Sequence, residues 1–327
     1  MDPSERLAAL VAAGRLTEDD AALIDAAPRV LERLGRLGSI DDSGLTRLIT
    51  VARAWRRENA VREGALPRPH YTRFPLALID AVALRLGAGR SVLDPFAGTM
   101  ERLRLLESPE FGGHTVYGVE LEPEWVHAHP HPRLEQGDAT ALRYDDCSFD
   151  AVVTSPSYGN RDADRTGTWW DNPDRKTYAA ALGRNPSDGS LCVPFGTQAY
   201  AAGHLLAWCE AVRVLRIGGL FFLNAKNFVR AGQIQRVSQF HTEILRSCDM
   251  RAVDDTAIPT SGRPSGANYA VRAESAEKLY IFAKTAAAHD TAAAIYRQHR
   301  ESADNGKKRK TGKKGKKGKK GNGGTRR

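Results

Sequence analysis

The chain has 327 residues, 41% hydrophobic and 27% charged, a size and composition that fit a globular protein with one large domain and a helical appendage. No apolar run approaches the roughly 18 residues that span a bilayer, so a membrane-spanning protein is not expected. The net charge of +9 is uneven: twelve Lys or Arg and no acid lie between Lys307 and Arg327, and setting those twelve aside leaves −3 for residues 1–306.

The basic balance therefore belongs to the tail and does not by itself indicate a basic binding face. Cys147, Cys192, Cys209 and Cys248 are far apart and form no CxxC pair, so neither a metal site nor a disulfide framework is expected. The opening Met1-Asp2-Pro3-Ser4-Glu5-Arg6 is not a signal peptide. A reducing cytoplasm, bacterial or of a phage-infected host, is the expected location.

Residues 1–68 read as helices. Leu7, Leu10, Val11 and Leu16 keep helical spacing, and Thr17-Glu18-Asp19-Asp20 has the form of a cap followed by first-turn acids. Ala22, Leu23, Ile24, Val30, Leu31 and Leu34 make a second apolar face. A third helix follows, with Leu45, Leu48, Ile49, Val51 and Trp55. No chemistry is legible here, and a small helical cap or interaction module is expected.

From residue 69 the pattern changes to alternating helices and strands. A helix begins at Phe74-Pro75 and runs toward Leu86. Ser91–Leu93, Thr115–Val119, Arg133–Gln136, Ala151–Val153 and Leu220–Leu223 read as short buried strands, with helical stretches near Glu101–Leu106, Glu122–His127 and Tyr200–Leu215. Arg251–Ile258 and Lys278–Ala283 read as a terminal antiparallel pair. Alternation of this kind predicts an α/β fold, a mostly parallel sheet covered by helices on both faces. Residues 286–327 read as a helical extension and then a Gly-Lys-Lys repeat, which lacks apolar residues and is expected to be disordered. That basic tail either attracts nucleic-acid phosphates or is a solubilising end.

Two strand ends carry the chemistry. The first is Ser91-Val92-Leu93-Asp94-Pro95-Phe96-Ala97-Gly98-Thr99, where a buried strand runs into an acid and a glycine loop. Ligands of open α/β sheets bind beyond such strand ends. Glu120 closes the next strand, where an acid can accept both hydroxyls of a ribose, and Asp138-Ala139 follow the third. The second stretch is Ala151-Val152-Val153-Thr154-Ser155-Pro156-Ser157-Tyr158-Gly159-Asn160, one α/β repeat further on. No GxGxxG dinucleotide fingerprint is present.

In this order the two stretches resemble the DPFxGxG and (D/N/S)PP(Y/F) motifs of the amino-methylating DNA methyltransferases, over about residues 69–285. Met100 stands where the family has a second glycine, and Ser157 where it has a second proline. The resemblance implies a class I methyltransferase (Rossmann-like) fold with a seven-stranded sheet. It implies S-adenosyl-L-methionine as cofactor, held by Phe74, Pro75, Asp94, Pro95, Phe96, Ala97, Gly98, Thr99, Glu120, Asp138, Ala139 and Ser155. It also implies catalysis by Ser155, Pro156, Ser157 and Tyr158, with no metal. Phe74-Pro75 before Asp94, and Asp94 before Tyr158, is the γ-like motif order.

The implied reaction places a methyl group on the exocyclic nitrogen of a base in duplex DNA. The serine form of the motif favours cytosine-N4 over adenine-N6. The target base is flipped out and stacked on Tyr158. Residues 159–196 exceed an ordinary α/β connection and read as a substrate loop. Within it Arg161, Trp169 and Trp170 suit phosphate contact and base stacking, although the tryptophans equally suit packing of the loop. Asn224, Lys226 and Arg230 follow the fifth strand and are expected at the same cleft. A cognate restriction enzyme is the partner such an activity raises, and the chain does not identify one. An RNA base-amino methyltransferase and a catalytically weak nucleic-acid binder are the alternative readings.

Overall fold

The computed structural model describes residues 2–27, 30–31, 34–35, 40–42, 44–45, 48–49, 51–52, 74–159, 178–230, 233–258 and 277–317. Helix α1 (Pro3–Ala12) starts with a reciprocal cap: Asp2 accepts the Ser4 amide at 2.7 Å, and Glu5 reaches back to the Asp2 amide. Thr17 caps α2 (Glu18–Asp25), as its spacing predicts. Helix α3 (Leu76–Leu86) follows Pro75, whose missing N–H is harmless at a helix start.

The sheet contains β1 (Ser91–Asp94), β2 (Thr115–Glu120), β3 (Leu134–Gln136), β4 (Phe149–Thr154), β5 (Leu215–Ala225), β8 (Arg251–Ala257) and β9 (Lys278–Ala283). Its order is β3-β2-β1-β4-β5-β9-β8. The first four pairings are parallel, and β9 runs antiparallel to both β5 and β8. This is the class I methyltransferase, Rossmann-like arrangement, with the chain reversing direction outward from β1 so that a crevice opens between β1 and β4. Helices α4 (Pro123–Ala128), α5 (Tyr178–Leu182), α6 (Gln198–Val214), α7 (Val237–Ser247) and α8 (Ala286–Lys317) complete the main elements. Strands β6 (Phe228–Arg230) and β7 (Gln233–Gln235) form a separate two-stranded ribbon.

Side chains alternate between two cores, as the pleat demands. Val92, Val153, Phe222 and Ile281 face one cluster; their neighbours Leu93, Val152, Phe221 and Phe282 face the other. Helix α3 covers the first face through Leu78, Ile79 and Val82. Leu7, Leu10, Leu23, Ile24, Leu34, Leu45 and Leu48 from the N-terminal segment join that same cluster. Each such side chain contributes on the order of 1.5–3 kcal/mol by leaving water. Helix α6 covers the second face with Trp208 and Val212, and α8 packs outside it through Ala288 and Ala292.

Three sequence expectations differ from the structure. The helix expected over Glu101–Leu106 is a pair of 3-10 turns, Leu103–Glu107 and Pro109–Phe111. Met100 sits at φ +53 just before it, and Ser108-Pro109 interrupts it, so the segment has no room for a full α-helical run. Strand β5 begins at Leu215, five residues earlier than expected, because its pairing with β4 slips between Phe149 and Ala151 and lets Gly218, at φ +79, remain in the strand. The backbone of α8 stays helical through Lys317, past Gly312, where the Gly-Lys-Lys repeat that was expected to be disordered begins. An Ala-rich start already anchored on α6 supplies the helical nucleus, and Lys and Arg complement the negative end of a helix. Residues 318–327 lie outside the described residues. Among the described residues no helix is long and apolar enough to cross a membrane.

Candidate active site

Strands β1, β2 and β4 deliver their C-terminal ends to one cavity of about 400 Å³. Asp94, Pro95, Phe96, Ala97, Gly98 and Thr99 line it from β1, Glu120 from β2, and Asp138 and Ala139 from the loop after β3. Ser155, Pro156, Ser157 and Tyr158 line it from β4, and Lys226 from beyond β5. Phe74 also lines it, whereas Pro75 serves as the N-cap residue of α3. Arg230 ends β6 on the small ribbon. Arg161, Trp169 and Trp170 lie outside the described residues. Among the described residues no cluster of His, Cys, Asp or Glu has the arrangement of a metal site.

The acid end of this cavity is held by three backbone amides and two hydroxyls. Asp94 is 1% exposed, and its Oδ1 accepts the Phe96 amide at 2.9 Å and the Thr154 hydroxyl at 2.7 Å. Burial pushes its carboxyl up to about 7, against the pull of those two donors and with a small push from Glu120. Glu120 accepts the Gly98 amide at 2.8 Å on Oε2, and the Glu122 amide at 2.9 Å and the Tyr178 hydroxyl at 3.2 Å on Oε1. Burial raises its pKa as well, and the two amides oppose that. A carboxylate offers about four acceptor positions, and three of those on Glu120 are occupied by these donors. On Asp138, Oδ1 accepts the Thr140 amide at 2.8 Å.

Met100 explains its own departure from the glycine of the motif. Its φ of +53 is the left-handed conformation that a glycine takes freely, at a cost of about 1–2 kcal/mol for a side chain. The side chain is 2% exposed and lies against β2. A Cβ on Gly118 would come within 2.8 Å of its sulfur and 2.7 Å of the Ala97 Cβ. Packing against β2 holds the strained turn.

The segment after α5 closes the cavity wall. Glu122 is fully buried and accepts Arg184 Nη2 at 2.7 Å, the Ser187 amide at 2.8 Å and the Ser187 hydroxyl at 2.7 Å. Arg184 also forks onto both oxygens of Glu124 at 2.6 Å. Gly189, Ser190, Leu191 and Cys192 thereby reach the cavity.

The loop end is held by side chains. Ser155 Oγ and Tyr158 Oη are 3.0 Å apart, and Tyr158 Oη reaches the Asn224 carbonyl at 3.5 Å. Lys226 Nζ stands 5.7 Å from the Tyr158 ring centre, a cation over an aromatic face. Asn224 Nδ2 donates to Glu277 Oε1 at 2.7 Å. Behind the loop Tyr200, His204, Trp208 and His241 are 0% exposed. Burial pushes His204 down to about 4 and His241 well below its ordinary range, so both rings are neutral.

Sequence reading missed Tyr178, Glu277, Tyr200 and His241. Tyr178 follows an irregular polar stretch, and Glu277 sits just before a strand more than 50 residues from Asn224. Tyr200 and His241 lie on helices whose apolar spacing reads as ordinary core, and no local signal marks them.

No family model matches the chain, and no curated protein matches it. Among solved structures, a complex between the Haloferax volcanii Trm112 methyltransferase activator and a methyltransferase is 15% identical, with 72% of this chain and 97% of that one covered at a TM-score of 0.42. A TehB-like SAM-dependent methyltransferase from Corynebacterium glutamicum is 18% identical, over 72% of this chain and 98% of that one, at a TM-score of 0.39. The 1,6-didemethyltoxoflavin-N1-methyltransferase of Burkholderia thailandensis is 18% identical, over 71% and 88%, at a TM-score of 0.38. Likenesses this distant carry no information on substrate.

Proposed function

We propose that this protein is an S-adenosylmethionine-dependent DNA methyltransferase that modifies the exocyclic amino group of a base, with cytosine-N4 favoured over adenine-N6. One observation carries the reading: a single cavity joins the strand-end acids Asp94, Glu120 and Asp138 to the Ser155-Pro156-Ser157-Tyr158 loop.

The residues fit that cofactor. Glu120 would take one ribose hydroxyl, Asp138 and Ala139 the adenine side, and Phe74 with Asp94 through Thr99 the methionine side. Asp94 is a buried carboxyl with no cation beside it among the described residues, and burial pushes its pKa up to about 7. A positively charged ligand is what such a group favours. S-adenosylmethionine supplies an electrophilic methyl group on a sulfonium.

The loop does the rest by orientation. An exocyclic amine is a poor nucleophile because its lone pair is delocalised into the ring. With Ser155 O–H donating to Tyr158 Oη, and Tyr158 O–H to the Asn224 carbonyl, both Ser155 lone pairs are left to accept an amino N–H. The Pro156 carbonyl accepts the second N–H. Those two bonds draw the nitrogen toward tetrahedral geometry and aim its lone pair; one proton then leaves to solvent. Positioning and fixed dipoles carry the rate enhancement. Tyr158 stacks on the flipped base, and Arg161, Trp169, Trp170, Lys226 and Arg230 contact the surrounding strand.

The test is transfer of labelled methyl to unmethylated duplex DNA and, in parallel, to total RNA, followed by nucleoside analysis. Label in N4-methylcytosine or N6-methyladenine supports the proposal; label confined to RNA replaces it with RNA base-amino methylation, and none at all with a nucleic-acid binder. Deleting Lys307–Arg327 is expected to weaken nucleic-acid binding and flatten its dependence on salt without abolishing transfer. Equal salt slopes with and without the tail contradict that role.

A further inference from the structure

Behind the Ser155–Tyr158 loop, buried side chains form a hydrogen-bond chain whose direction is fixed. Trp208 Nε1 is only a donor, and it donates to His241 Nδ1 at 3.0 Å. The neutral His241 ring therefore carries its proton on Nε2, which lies 2.9 Å from Tyr200 Oη. Nε2–H donates to that oxygen, and the Tyr200 hydroxyl spends its own proton on the Ser157 carbonyl at 2.6 Å. A charged His241 would set two N–H groups against each other at Trp208, so the chain also requires the neutral ring.

The same helix start grips the far side of the loop. The Phe195 amide donates to the Gly159 carbonyl at 3.0 Å, and the Phe195 ring packs edge-on against Tyr200 at 5.3 Å. Gly159 sits at φ +61, and a Cβ there would come within 2.8 Å of the Phe195 Cα. The loop is thus pinned at two successive points, the Ser157 and Gly159 carbonyls. Ser157 stands where the motif that this loop resembles carries a ring-stiffened proline.

We propose that Tyr200, oriented by His241 and Trp208, is a positioning residue that fixes the Ser155–Tyr158 loop, supplying from outside the rigidity that a proline at 157 supplies from within. The proposal rests on the methyl-transfer reading of that loop. Tyr200 touches neither reacting group. It holds the peptide that follows Ser157, and through it the aim of Ser155 Oγ and the Pro156 carbonyl.

Three proteins test it: wild type, Tyr200→Phe, and Tyr200→Phe with Ser157→Pro. Two readouts are taken, the single-turnover rate of methyl transfer and the hydrogen exchange of the peptide spanning residues 154–159 in the cofactor-free protein. Tyr200→Phe keeps the ring and its packing. It should slow transfer by about tenfold, the worth of one hydrogen bond, with cofactor affinity within about twofold of wild type. It should also speed exchange in the loop. Ser157→Pro in that background should recover most of the rate. Loop exchange and transfer both unchanged in Tyr200→Phe overturn the proposal, as does a slowed rate that Ser157→Pro leaves untouched. A wild-type protein that transfers no methyl overturns the functional reading alone, because loop exchange still decides the positioning. Should Tyr200→Phe fail to fold, His241→Leu leaves the Tyr200 hydroxyl in place without its orienting partner, and the same direction of change is expected.

Discussion

The two ends of the cavity are held in different ways. At the acid end, most of the donors on Asp94 and Glu120 are backbone amides, those of Phe96, Gly98 and Glu122, with one hydroxyl added to each from Thr154 and Tyr178. At the loop end, Ser157 and Tyr158 are fixed by groups brought from 40 or more residues away: Tyr200, and the Asn224 carbonyl. A site held mainly by backbone amides tolerates much of the side-chain change around it. A site that distant side chains build depends on the packing of helices with no other visible role in the chemistry.

The sharpest way to test the acid end is through pH. The Asp94 pKa of about 7 lies above the ordinary 3.8, so the folded protein holds that proton more tightly than the unfolded chain does. The stabilisation is complete below about pH 4 and lost as pH rises through about 7, on the order of 4 kcal/mol across that window. Thermal melting of the cofactor-free protein should fall accordingly between pH 4 and 8. Asp94→Asn should flatten that fall. S-adenosylmethionine should bind more tightly as pH rises through 7, while uncharged methylthioadenosine should show no such trend. A flat wild-type profile would break the account of the acid end.

At the loop end, Tyr158→Ala should reduce methyl transfer by about 10–100-fold, the worth of one base-stacking contact. Cofactor affinity, measured by calorimetry, should stay within about twofold. Equal losses in both would mean that the two ends are not separable.

Glu120→Gln should be the mildest. The amide oxygen still accepts one donor, but an Nε2 group then faces either the Gly98 amide or the Glu122 amide. Cofactor affinity is expected to drop by about tenfold, the difference between a charged and a neutral acceptor. The transfer rate at saturating cofactor should be unchanged. A lower rate with unaltered affinity would reverse the roles assigned to the two ends.

The same contrast governs how much was legible in the sequence. That Asp94, Gly98, Glu120 and Asp138 would meet at one cavity was legible because each lies at or just beyond the end of a short apolar strand, and strand ends of a parallel sheet converge. Ser155–Tyr158 could be expected at the same cavity for the same reason. Alternation predicted a mostly parallel sheet and placed the main strands to within a few residues at most ends; the strand order became visible only in the structure. Tyr178 and Glu277 were not legible, because neither closes a strand of the parallel sheet and no local pattern marks them as cavity residues. Tyr200 and His241 were not legible either: a buried aromatic or imidazole at helical spacing looks like core until its hydrogen-bond partners are seen. Composition also gave no sign of how far α8 would run, since a helix that tertiary contacts have already nucleated extends through residues that would not start one.

The measurement that bears most directly on the central claim is a single-turnover reaction. The protein is loaded with methyl-labelled S-adenosylmethionine, unmethylated duplex DNA is added, and the DNA is digested to nucleosides. The account predicts label on an exocyclic nitrogen, in N4-methylcytosine ahead of N6-methyladenine, and its loss in Tyr158→Ala with cofactor binding preserved. Bound cofactor with no label in any nucleoside, or label on carbon or oxygen, would contradict it.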